Sequence, residues 1–221
     1  MWIKICGTTN LEDAIAAVEA GAEALGFIFA PSPRRISPKD AARIIRELPA
    51  KVEKVGVFVN QHAAIIRRTR DEASLTGIQL HGDEDAEFVR ELRQALAPEA
   101  MRVIKAVKVR EGFESGIAEF EGDGAPDAFL LDSGSGDARG GTGKRFDWEQ
   151  HAGVIRLLSK RHRIVVGGGL TPESVGSAIA QFAPYGVDVV SGVEREPGHK
   201  DHAKVKAFIA AARQAAHARS R

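Results

Sequence analysis

The stretch Trp2-Ile3-Lys4-Ile5-Cys6-Gly7-Thr8-Thr9-Asn10-Leu11-Glu12-Asp13-Ala14 holds in one place the unit from which the rest of the chain is built. Its first five residues form a short, apolar, β-branched run. A glycine follows, and Asn10 with Asp13 makes a capping arrangement ahead of an amphipathic segment. The same order, strand then turn then helix, returns along the whole sequence. Later strands are predicted over Ala24–Phe29, Lys54–Val59, Gly77–His81, Arg102–Val109, Ala128–Asp132, Arg163–Gly167 and Val187–Ser191. Helices are predicted near 10–20, 38–48, 62–73, 84–96, 111–120, 148–159, 172–182 and 201–213. Ser37-Pro38 and Thr171-Pro172 each place a capping hydroxyl before a proline at the first helical position.

Eight such units predict a single-domain α/β fold, a (β/α)8 TIM barrel over residues 1–213, with 214–221 a frayed basic tail. A doubly wound open sheet is the alternative, but it usually has fewer strands. Composition agrees with one packed domain. The 221 residues are 43% hydrophobic and 28% charged, and 31 Lys+Arg balance 30 Asp+Glu. That balance gives no polyelectrolyte footprint for nucleic acid. No apolar run reaches the roughly 20 residues that span a bilayer, and no signal-peptide core opens the sequence. One cysteine excludes an internal disulfide framework and a cysteine-based zinc site. A cytoplasmic protein with no membrane partner is the expectation.

In a barrel the chemistry belongs at the C-terminal ends of strands, so the direction of each polar residue there matters. Period-2 alternation puts Ile3 and Ile5 toward the helices and Lys4 and Cys6 inward. Two readings of Cys6 stand: a small buried hydrophobe, or a thiol whose ionisation the nearby lysine favours. Lys4 is either a stem along the wall with a carboxylate partner or a ligand-facing cation. Asp132 ends an apolar run and suits a general acid or base, while Gln79 and His81 share an inward face. A loop of more than ~12 residues then separates Asp132 from the helix at Trp148. Glycines cluster at Gly140-Gly141-Thr142-Gly143, Gly167-Gly168-Gly169 and Ser191-Gly192. Glycine lets backbone N–H groups approach an anion closely, and the loops after the last two strands are the usual phosphate site of barrels. A phosphorylated small molecule is the expected partner. Arg34 and Arg35, on a proline-stiffened loop, suit a carboxylate or a ring.

Taken together these segments resemble phosphoribosylanthranilate isomerase, from Lys4 to about Lys206. The carriers are Lys4-Ile5-Cys6-Gly7-Thr8-Thr9-Asn10, Gly26-Phe27-Ile28-Phe29, Ser32-Pro33-Arg34, Gln79-Leu80-His81-Gly82, Leu130-Leu131-Asp132, Gly140-Gly141-Thr142-Gly143-Lys144, Gly168-Gly169-Leu170 and Ser191-Gly192-Val193-Glu194. The resemblance implies an aldose–ketose (Amadori) isomerase of tryptophan biosynthesis, converting N-(5-phosphoribosyl)anthranilate to 1-(o-carboxyphenylamino)-1-deoxyribulose 5-phosphate, with no metal and no cofactor. It implies Cys6 as general base with a lowered pKa and Asp132 as general acid with a raised one. Lys4, Arg34, Gln79, His81, Gly141, Thr142 and Gly143 would bind substrate, and Gly168, Gly169, Ser191 and Gly192 the phosphate. The chain departs from the family pattern at Arg35, where members often carry an aromatic residue. Monomer and homodimer both fit the sequence. Indole-3-glycerol-phosphate synthase, a dual-substrate isomerase and a catalytically silent phosphate-binding barrel fit it less well.

Overall fold

Strands that alternate between a helix-facing and an inward-facing row close into a barrel when both rows are filled. The computed structural model, which describes residues 1–99, 101–122, 124–133 and 148–219, shows that closure. Strands β1 (Trp2–Cys6), β2 (Ala24–Ile28), β3 (Glu53–Phe58), β4 (Gly77–Leu80), β5 (Arg102–Lys108), β6 (Ala128–Asp132), β7 (Ile164–Val166) and β8 (Gly186–Val189) pair in sequence order, all parallel, and β8 returns to β1. All eight expected strands are present. Helices α1 (Leu11–Ala20), α2 (Pro38–Arg46), α3 (Ala63–Ala73), α4 (Ala86–Leu96), α5 (Phe113–Ala118), α6 (Trp148–Arg161), α7 (Val175–Phe182) and α8 (His202–Arg219) follow the strands in turn.

Two cores result. The larger lies between strands and helices and takes Ile3, Ile5, Leu25, Phe27, Ile78, Leu80, Val187 and Val189 from the outward rows. The smaller fills the lumen with Trp2, Ala24, Val55, Ile104, Ala106, Ala128, Leu130 and Val165. Its floor is an aromatic plug at the N-terminal end of the strands. Trp2 and Tyr185 stack with centroids 6.3 Å apart, and the Arg102 guanidinium lies 5.7 and 5.8 Å from their centroids. Trp2 Nε1 also donates to Glu53 Oε1 at 3.2 Å.

The helix starts are partly as expected. The Asn10 side chain accepts from the Asp13 amide and donates to its carboxylate, and Ser37 caps the Pro38 helix. Thr171 does not cap α7. The Ser174 hydroxyl accepts from the Thr171 amide at 2.9 Å, which closes a turn through Pro172 and delays the helix to Val175. Of the expected frayed tail, residues 214–219 are helical. Helix α8 runs to Arg219, because Ala212 is buried and Ala215 packs against the core beyond the expected stop. Ser191 leaves the eighth strand for a 3-10 turn over Ser191–Val193. A hairpin that the sequence did not suggest follows, β9 (Glu194–Glu196) with β10 (His199–Lys200).

Replacing Trp2 with alanine removes both the stack and the Glu53 bond from a packed floor. It is expected to lower unfolding free energy by about 3–5 kcal/mol, read as a lower urea midpoint at unchanged slope.

Candidate active site

Because the aromatic plug fills the bottom of the lumen, the polar inward residues collect at the top. A cavity of about 510 Å³ opens there, lined by Cys6, Arg34, Gln79, His81, Asp132, Gly168, Gly169, Asp188, Ser191 and Gly192 among others. The structure thus brings together residues from β1, β4, β6 and β8 with the loops after β2, β7 and β8. Ten of the thirteen expected site residues come within this neighbourhood, nine of them on the cavity wall. Gly141, Thr142 and Gly143 lie outside the described residues.

One wall is a hydrogen-bonded chain. The Gln79 amide nitrogen lies 2.8 Å from His81 Nδ1, and His81 Nε2 lies 3.2 Å from Asp132 Oδ2. With the amide donating to Nδ1, the imidazole carries its proton on Nε2 and presents it to the carboxylate. His81 therefore orients Asp132, which is buried at the end of β6. Gly168 follows closely on the other side. It adopts φ +74°, and a Cβ there would sit 2.6 Å from Asp132 Oδ1 and 2.5 Å from the Ser133 amide nitrogen. Only glycine fits that conformation and that gap.

Cys6 ends β1 on the opposite wall, 3% exposed. The expected lowering of its pKa is not what this environment produces. Burial pushes the thiol up, and Asp188 adds to that. Lys4 is the strongest opposing influence and Lys200 a weaker one. Lys4, expected among the substrate ligands, is buried and is not among the residues that line the cavity. Its Nζ donates to Asp188 Oδ1 at 2.8 Å. Burial alone would lower the lysine, but Asp188 and then Cys6 outweigh it and hold the ammonium above its ordinary value.

Arg34 is buried while its neighbour Arg35 is exposed. Its Nε and Nη2 grip Glu194 in a two-pronged ion pair of 2.7 to 3.0 Å. Glu194 also accepts from Lys200 Nζ at 2.9 Å, and the same ammonium donates to the Cys6 carbonyl at 2.6 Å. Burial raises the Glu194 carboxyl, but Arg34 and Lys200 more than reverse it and hold it low. Sequence reasoning assigned no role to Glu194, Lys200 or Asp188. For Asp188 a signal existed: Val187 and Val189 face the helices, so the residue between them must face in. For Lys200 none existed, because its hairpin carries no apolar periodicity.

Gly168 and Gly169 both have positive φ, and the loops after β7 and β8 approach each other closely. A Cβ on Gly192 would fall 1.9 Å from the Leu170 carbonyl oxygen. The result is a glycine-lined pocket end made of main chain.

Comparison with known proteins places this arrangement. Residues 3–211 match the family model described as N-(5'phosphoribosyl)anthranilate (PRA) isomerase. The curated isomerase of that name from Citrifermentans bemidjiense is 49% identical over 97% of this chain and 98% of its own. The crystal structure of phosphoribosyl anthranilate isomerase from Thermotoga maritima shares 43% identity at a TM-score of 0.84, covering 97% of this chain and 99% of that one. A crystal structure of such an isomerase in complex with reduced 1-(o-carboxyphenylamino)-1-deoxyribulose 5-phosphate shares 41% identity at a TM-score of 0.81, with the same coverage. This chain belongs to the N-(5'-phosphoribosyl)anthranilate isomerase family.

Proposed function

We propose that the chain isomerises N-(5-phosphoribosyl)anthranilate to 1-(o-carboxyphenylamino)-1-deoxyribulose 5-phosphate in tryptophan biosynthesis, as a cytoplasmic enzyme acting without metal or organic cofactor. The observation that carries the reading is the placement of Cys6 and Asp132, from β1 and β6, on the wall of one cavity that glycine backbone of the loops after β7 and β8 also lines. That pairs a base with an acid across a space suited to a phosphosugar.

Asp132, as the acid, gives its proton to the furanose ring oxygen. The C1′–O4′ bond breaks and the anilino nitrogen lone pair forms C1′=N. Cys6 thiolate takes the C2′ proton, the C–H electrons become C1′=C2′, and the iminium electrons return to nitrogen. The enolamine then gains a proton at C1′ and loses its hydroxyl proton to give the ketone. The iminium brings positive charge beside the sulfur, which favours the thiolate that burial disfavours. The phosphate rests on backbone amides at Gly168, Gly169, Ser191 and Gly192. Arg34 offers the anthranilate its Nη1 and its planar face, since Glu194 occupies the other edge. Gln79 acts through His81.

Complementation of a tryptophan auxotroph lacking this isomerase tests the activity directly, and failure with folded protein overturns it. Cys6→Ser and Asp132→Asn are each expected to lower kcat by about 10²–10⁴-fold, and near-normal turnover in both would reject the roles. Because burial raises the Cys6 pKa, the thiolate fraction grows only as pH climbs past the ordinary thiol range. Since turnover also needs Asp132 protonated, the kcat/KM profile should be bell-shaped, with the limb that belongs to Cys6 displaced above the ordinary thiol range. Gly192→Ala forces apart the two loops that cradle the phosphate and is expected to raise KM about tenfold or more.

A further inference from the structure

We infer that the buried Lys4–Asp188 pair is the device that sets the ionisation of Cys6, with Lys4 a positioning residue for the base and Asp188 its counterweight. The inference rests on the reading of Cys6 as the base, and it replaces the expected contact between Lys4 and substrate.

The geometry begins with register. Lys4 and Asp188 are direct partners across the β1–β8 seam, and both face the lumen. Cys6 lies two residues beyond Lys4 and so shares its face. Gly26, the partner of Cys6 across β1–β2, shows how near the groups are. A Cβ at Gly26 would lie 2.5 Å from the Cys6 sulfur and 3.0 Å from Lys4 Cε. The sulfur and the carbon that bears the ammonium therefore surround one point, a space that only glycine leaves open.

Stability gives a weak reason for such a pair. Two ions removed from water recover little that a packed apolar pair would not supply. Their position supplies a better one. An ammonium beneath a sulfur favours the thiolate, and a carboxylate on the same ammonium competes for it. Other charged groups surround Cys6 as well. Lys200 reaches its carbonyl from the hairpin and is balanced by Glu194, and Arg34 is bound to that same Glu194. His81 and Asp132 face it from the opposite wall. Among the ion pairs of the described residues, Lys4 meets Asp188 alone.

The chain has one cysteine, so alkylation by iodoacetamide and thiolate ultraviolet absorbance report on Cys6 without other thiols. Lys4→Met keeps the stem and removes the charge. It is expected to move the midpoint of the alkylation–pH profile up by about one pH unit, or about tenfold slower alkylation near neutrality. Asp188→Asn is expected to move the midpoint down, the opposite sign. Lys4→Arg should hold it near the parent value. A purely structural pair would disturb both variants alike, so midpoints moving in the same direction, or not moving, overturn the inference. Should Lys4→Met fail to fold, Lys4→Gln against Asp188→Asn gives the same comparison of signs. The limb of the kcat/KM profile that belongs to Cys6 should follow each midpoint. If the midpoints separate as stated while kcat/KM keeps the parent profile, control of the thiol stands and the reading of Cys6 as base falls.

Discussion

Every inward side chain of a closed eight-stranded barrel shares one lumen, and this chain divides that lumen by depth. Trp2, Tyr185 and the small apolar residues fill the lower part, which the Arg102–Glu53 ion pair closes at the bottom, and the polar groups of the cavity lie above them. Lys4 with Asp188 forms the boundary between the two, at the seam where β8 meets β1. Below the pair the interior is packed. Above it the walls carry a thiol, a carboxylate and an imidazole around open space. Without that ion pair either charge would be buried and uncompensated, a destabilisation of several kcal/mol by order of magnitude. The seam and the site therefore depend on the same contact.

A second network fixes the rim. Glu194 ties the arginine of the second loop to the lysine of the hairpin, and that lysine in turn holds the Cys6 main chain. Asp13 extends the chain of contacts, accepting from the Lys200 amide and pairing with His202 at the start of α8. Burial raises the Asp13 carboxyl, but these bonds and the one from Asn10 hold it below its ordinary value. The stabilisation from Asp13 is thus present above the usual carboxylate range and fades as pH falls through its folded pKa. Arg34 reaches the cavity already oriented, with its freedom spent on Glu194 before any ligand arrives.

The strand order was legible because fully buried parallel strands read as apolar runs, and alternation showed which residues face inward. Cys6 and Asp132 could be picked out on that basis. Depth could not. Lys4 faces inward, yet it stops below the cavity, and nothing local in the sequence distinguishes a residue under the floor from one on the wall. The sign of the Cys6 shift was misjudged for a related reason: a neighbouring lysine is visible in sequence, whereas the desolvation that outweighs it is a property of the assembled barrel. The bonds from Lys4 to Asp188 and from Arg34 to Glu194 join residues 184 and 160 positions apart, beyond any local pattern. The tail was misread because an alanine-rich, basic ending looks solvated until α7 supplies a surface for Ala215 to pack on.

That same long reach bears on how the chain comes into being. Strand β1 and the cysteine that ends it emerge ahead of the other seven strands, while their partners in β8 and the hairpin follow all the strands between. Until β8 has left the ribosome β1 lacks one of its two neighbours, and until Lys200 follows Cys6 lacks the lysine on its carbonyl. Contacts of such high sequence separation form slowly, and an unpaired edge is open to pairing with another chain. A nascent chain stalled short of the hairpin would hold the eight strands but lack the lysine on the Cys6 carbonyl.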